Sequence, residues 1–186
     1  SGFIGEQTTL NNLTERIFKK PLFKKDFNSE NRPKEFTFFF TPTLKNYNDF
    51  VHLLDKMISD NLNKKFFDGK VEMYDLVELK KGIVERKPKG TIRLFEEWLT
   101  KKFTVDGNEE IKSIFKSFKK IRRERQNPAH KISENEYDEK YVELQQKLID
   151  EAYNSMRHLR HIFQQHPKAL EFEIPKWLEN GEVKSF

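Results

Sequence analysis

The chain has 186 residues, 35% of them hydrophobic, with 18 Phe but only 7 Gly and 7 Pro; this is enough apolar material for one buried core and too little punctuation for a disordered chain. The absence of cysteine excludes disulfides, thiolate metal sites and cysteine nucleophiles together, and points to the cytoplasm. A net charge of +5, from 35 Lys and Arg against 30 Asp and Glu, does not by itself imply a polyanionic partner.

In chain order, Leu10, Leu13, Ile17 and Phe18 predict a short amphipathic helix, followed by an irregular connection marked by Pro21, Asn28, Asn31 and Pro33. This reads as an arm outside the core. The run Phe36-Thr37-Phe38-Phe39-Phe40-Thr41 predicts a strand, and Leu170-Glu171-Phe172-Glu173-Ile174 alternates as a half-buried partner strand would. Over residues 47–66, Tyr47, Phe50, Val51, Leu54, Ile58 and Leu62 mark one face of a helix. Met73, Leu76, Val77 and Ile83 predict a shorter helix, stopped at Lys87-Pro88-Lys89-Gly90, and Ile92, Phe95, Leu99 and Phe103 resume the pattern. Ile111, Ile114, Phe115, Phe118 and Ile121 predict a helix running toward Pro128. The stripe from Tyr137 through Tyr141, Leu144, Leu148, Ala152, Met156 and Leu159 to Phe163 predicts the longest helix, ending near Pro167. Such helices bury their faces against one another, so the expected fold is mainly α, a bundle with a small strand-containing annex. The expected division is an N-terminal arm at 1–45, the bundle at 46–166 and a C-terminal tail at 167–186. No stretch is apolar enough to span a membrane and no secretory signal pattern opens the chain. A start at Ser1-Gly2 without Met is that of a tag scar or an excised segment, which leaves room for an upstream domain or partner protein.

Charge concentrates between Lys112 and Lys131, where Lys119, Arg122, Arg123 and Lys131 can serve as phosphate contacts; the plainer reading is a solvated helix face. On this helix the apolar stripe Ile114, Phe118, Ile121 leads to Arg125. A charge at a core position has to reach a partner, a cleft or a subunit interface. His130 follows five residues later. His158 and His161 lie three apart on a helix, but Arg157 and Arg160 beside them would repel a cation, so no metal or other cofactor is expected. Lys19, Lys20, Lys24 and Lys25 read as a solvated cluster.

The segment Ile121-Arg122-Arg123-Glu124-Arg125-Gln126-Asn127-Pro128-Ala129-His130-Lys131-Ile132 resembles the HEPN signature, an Arg and a His four to six residues apart near the end of a bundle helix. Here the gap is four, Ala129 precedes the His, and Gln126 stands in a supporting position where members often carry Asn, Asp or His. The resemblance covers residues 47–163. It implies a helical bundle, a homodimer in which two copies of the motif face each other, and a metal-independent endoribonuclease of a bacterial defence or toxin system. It also leaves open a non-catalytic RNA- or nucleotide-binding module and a structural dimerisation domain. Independently of the resemblance, RNA cleavage by a ribose 2′-OH needs a group that moves protons near neutral pH and a cation for the phosphate. His130 suits the first role and Arg125 the second. The alternative is that both are cations at the C-terminal end of a helix.

Overall fold

The fold was obtained as a computed structural model that describes residues 2–27, 33, 41–80, 82–103, 109–126 and 135–181. Among these residues it is mainly helical, with one two-stranded sheet. The first helix, α1 (Gly2–Phe18), ends at Lys19, whose φ of 58° lies in the left-handed region; the Lys19 N–H still bonds the Glu15 carbonyl at 2.9 Å before Pro21 turns the chain away. Leu10, Leu13 and Ile17 are fully buried in the common core, so α1 is a core helix and not the expected arm. Its inner face is half polar for an identifiable reason. Asn11 accepts a hydrogen bond from the Phe23 N–H (2.7 Å) and donates to the Phe23 carbonyl, and the Thr14 hydroxyl accepts from the Leu22 N–H at 3.0 Å. These side chains satisfy an irregular backbone segment that would otherwise be buried unpaired.

The helix α2 (Leu44–Asp55) is capped by the Thr43 hydroxyl, which accepts from the Asn46 N–H at 3.2 Å. Tyr47, Phe50, Val51 and Leu54 face the core. The chain then widens into a π turn over Lys56–Asp60. This turn is held from outside: Lys24 N–H bonds the Asn61 carbonyl at 2.7 Å, and the Asn61 side chain brackets the backbone of Lys25. A short α3 (Lys64–Phe67) follows. The helix expected over 47–66 is therefore two helices joined by a π turn.

The helix expected from Met73, Leu76, Val77 and Ile83 is instead a hairpin of β1 (Tyr74–Glu78) and β2 (Val84–Pro88), antiparallel, with Leu76 opposite Arg86. The β-branched Val77, Ile83 and Val84 and a turn glycine, Gly82 at φ 73°, favour strands over a helix that would have no core to face. Leu76 and Ile83 are 72% and 60% exposed, and neither strand packs along a helix of the described residues. Two ion pairs tie the hairpin base to the next helix, α4 (Thr91–Lys102): Asp75 with Arg93 at 2.5 Å and Lys89 with Glu97 at 2.7 Å.

The antiparallel pair α5 (Glu109–Gln126) and α6 (Lys140–Gln164) completes the bundle, with α1 lying along α6. Between α1 and α6 the Arg160 guanidinium is buried against the Glu6 carboxylate at 2.6 Å. Aromatic edges fill the space among α1, α3, α4 and α6, with Phe18, Phe66, Trp98 and Phe163 in T-shaped or tilted contacts. After α6 come a 3-10 turn (Pro167–Ala169) and α7 (Lys176–Glu179). Leu170–Ile174 is not the expected strand: the segment forms no ladder among the described residues, and Leu170 is exposed. Of the other expected strand, at 36–41, residues 36–40 lie outside the described residues and Thr41 belongs to no strand. The expected tail is anchored, because Leu178 is buried and Trp177 lies over Gly5 of α1, where an added Cβ would come within 2.3 Å of the ring. Among the described residues no helix is long and apolar enough to cross a membrane.

Candidate functional site

Arg122 and Arg125 sit one turn apart on the same face of α5. The end of α2 and the π turn bring Asp55, Ser59 and Asp60 against them. Asp55 is wholly buried. Its Oδ2 accepts from Arg122 Nη1 at 2.7 Å and from Arg125 Nη1 at 2.5 Å, while its Oδ1 accepts from the Ser59 hydroxyl at 2.5 Å. Asp60 adds a second carboxylate, 3.2 Å from Arg125 and 3.6 Å from Arg122. A carboxylate removed from water needs such partners, and Arg125 at the end of the apolar stripe finds its own partner in the same contact. The hydrogen bond that Arg125 donates to Asp55, opposed by partial burial, raises the already high pKa of Arg125. Each arginine uses only Nη1 here, so its Nε and Nη2 groups make no hydrogen bond to the described residues.

Beside this clamp is a cleft of about 310 Å³. Lys119, Arg122, Arg123 and Gln126 of α5 line one side, Gly90, Thr91, Ile92 and Arg93 line the other, and Ser59 also borders it. Gly90 is the N-cap of α4 and offers no side-chain cap, and no acidic residue occupies the first turn, so that end of the helix favours negative charge. Lys119 is paired with Glu96 at 2.5 Å and Arg93 with Asp75 and Glu97. Arg123 has no ion pair among the described residues. Chemically the cleft can take an anion, with guanidinium N–H groups in reach from α5 and α4.

Four of the residues singled out in the sequence as phosphate contacts or support, Lys119, Arg122, Arg123 and Gln126, thus border one cleft, and Arg125 is anchored next to it through Asp55. His130 and Lys131 lie outside the described residues. The described imidazole that feels Arg125 is His52 on α2. Partial burial, with the charges of Arg125 and Lys56, holds its pKa below the ordinary value against the opposing pull of Asp55 and Asp60. Away from this region, His161 is held low by burial and by Arg160, Arg157 and His158.

Sequence reasoning missed Asp55, Ser59, Asp60, Thr91 and Arg93. Only Asp55 left a signal: it follows Leu54 inside the buried stripe of α2, and an acid there calls for a buried cation elsewhere. Thr91 and Arg93 border the cleft because the hairpin returns the chain to the start of α4, which no residue pattern announces. Comparison of the chain with models of known families, with characterised proteins and with solved structures returns no match in any of the three.

Proposed function

We propose that the chain is a metal-independent endoribonuclease of HEPN type, active as a cytoplasmic homodimer in a bacterial defence or toxin setting. In this reading Arg125 stabilises charge developing on the scissile phosphate, and His130 moves the proton of the attacking 2′-OH. Lys119, Arg122, Arg123 and Lys131 hold flanking phosphates, and Gln126 supports the arginine. The observation that carries the reading is the common cleft bordered by Lys119, Arg122, Arg123 and Gln126 next to the clamped Arg125. An arginine fixed by a buried carboxylate is oriented before substrate arrives, which is what electrostatic stabilisation of a phosphate requires.

One observation favours a second reading. Nη1 of Arg125 is shared between Asp55 and Asp60, as in a structural ion pair, and this suits a module that binds RNA without cutting it. The test is cleavage of a labelled RNA by the wild type, His130→Ala and Arg125→Ala, with folding checked by circular dichroism. The nuclease reading expects each variant to lose roughly a hundredfold or more, an RNA with 2′-deoxyribose at the cut site to resist, and chelator to have no effect. Cleavage at the wild-type rate by a folded His130→Ala protein overturns it. Salt-dependent RNA binding without cleavage by the wild type selects the second reading.

A further inference from the structure

Among the described residues the strands of the hairpin pair only with each other. They pair so that Met73 lies opposite Lys89 and Leu79 opposite Ile83: the Lys89 N–H bonds the Met73 carbonyl at 3.0 Å and the Leu79 N–H bonds the Ile83 carbonyl at 2.7 Å. Because the pattern alternates, the odd-numbered residues of β1 point their N–H and C=O groups at β2. Those of Tyr74, Leu76 and Glu78 then point outward along an edge that is unpaired among the described residues. The two edges of the hairpin are not equivalent. On β2 the outward positions are Val84, Arg86 and Pro88, and Pro88 has no N–H to offer while Arg86 is a charge, so that edge is guarded against pairing. On β1 every outward residue keeps its N–H, the one charge, Glu78, stands at the end of the strand, and the central residue, Leu76, is 72% exposed.

We propose that β1 pairs antiparallel with β1 of a second copy of this chain, about a two-fold axis at Leu76, to make a four-stranded sheet. Three features fit a second copy better than another strand. First, Leu76 is an outward-pointing residue, so a two-fold axis there makes a hydrogen-bonded Leu76 pair, and each copy's Tyr74 meets the other's Glu78; every outward N–H and C=O of the three residues finds a partner. Second, the register is self-complementary in charge. Asp75 falls opposite Val77 and Glu78 opposite Tyr74, so no carboxylate faces another. Arg86 already lies over the Tyr74 ring, its guanidinium carbon 4.6 Å from the ring centroid, which puts a cation where the incoming Glu78 arrives. Third, the guarded β2 edges end the sheet on both sides, so the pairing closes at two copies and does not propagate. The pairing rests on the hairpin alone and gives the same two-copy assembly that the nuclease reading needs, so it names the strand that joins that homodimer; cross-linking at Leu76 tests it whether or not RNA is cut.

The chain has no cysteine, so introduced thiols report the register directly. In a hydrogen-bonded antiparallel pair the Cα atoms lie about 5.5 Å apart, within disulfide range. Leu76→Cys should form a disulfide-linked dimer under mild oxidation at least about tenfold faster than Ile83→Cys, an exposed control near the turn, because a pre-formed pair raises the effective thiol concentration. An equimolar mixture of Tyr74→Cys and Glu78→Cys should cross-link, and neither protein alone should. Equal rates for Leu76→Cys and Ile83→Cys overturn the proposal, as does cross-linking of Tyr74→Cys alone as fast as in the mixture. A folded hairpin is confirmed in each variant by the unchanged amide shifts of Val84 and Glu85.

Discussion

Removing Arg125 should cost the fold little, removing Arg122 should cost it little, and removing both should cost more than the two together. Asp55 has no exposure and takes one hydrogen bond from each arginine on the same Oδ2. Either single substitution to alanine deletes one charge-assisted bond but leaves the carboxylate with the other arginine and with Ser59. A loss of about 1.5 kcal/mol is expected, with Arg122 at the lower end because its side chain is 39% exposed against 26% for Arg125. The double substitution leaves a buried carboxylate with only the Ser59 hydroxyl, a condition that costs about 3–5 kcal/mol. With single losses summing to roughly 3 kcal/mol, the double variant should fall at about 5, a coupling near 2 kcal/mol. Urea unfolding followed by circular dichroism measures all four corners of the cycle. Repeating it with Asp55→Asn should shrink the coupling, since the buried charge is then gone. Additivity within about 0.5 kcal/mol in the Asp55 background refutes the shared-carboxylate argument. The result also bears on the nuclease test, because a single Arg125→Ala protein that stays folded lets lost cleavage be read as chemistry.

Leu13→Ala should destabilise by about 2–5 kcal/mol, measured as a shift in urea midpoint, because Leu13 is fully buried between α1 and its neighbours; a loss under about 1 kcal/mol would mean that α1 is peripheral. Burial, with nearby lysine and arginine charges, holds the pKa values of His52, His161 and His166 below the ordinary imidazole value. The unfolded chain therefore takes up these protons first as pH falls, so their contribution is whole above about pH 6.5 and is lost below it. The His166 Nδ1 also accepts the Lys168 N–H at 3.2 Å, a bond that protonation removes. The urea midpoint should drop between about pH 7.5 and about pH 5.5, less so in His166→Gln. Burial of Glu6 raises its carboxyl and works in the opposite sense, so it is the difference between wild type and variant that decides; identical slopes refute the assignment.

The helices α5 and α6 were legible because most of their apolar residues lie on one stripe that they bury; of the stripe expected for α6, Tyr137 lies before the helix in a bridge with Thr43, and it and Leu144 are exposed. The first helix was undervalued because Glu6, Gln7, Asn11 and Thr14 occupy its inner face, and a pattern that counts only apolar residues scores them as solvent. The hairpin failed for the reverse reason: Leu76 and Ile83 are apolar yet exposed, so their spacing records no core at all. Within the site, the arginine at the end of the stripe was read correctly as needing a partner. Its identity depended on a π turn that places Asp55 and Asp60 side by side, and a turn made by backbone widening has no residue signature.

The buried pair of Glu6 and Arg160 joins residues 154 positions apart in the chain. During synthesis at about 5–20 residues per second, α1 would wait roughly 8–30 s for the helix that covers it. Over that interval Leu10, Leu13 and Ile17 lack the α6 side of their packing, and a helix with a wholly apolar inner face would be open there to association with other chains. The polar half of that face changes the situation. Asn11 and Thr14 can close on the backbone of Leu22 and Phe23 as soon as these residues emerge, so α1 has a local docking segment long before α6 exists. The same residues that obscured α1 in the sequence thus let the first helix of the fold outlast the making of the last long one.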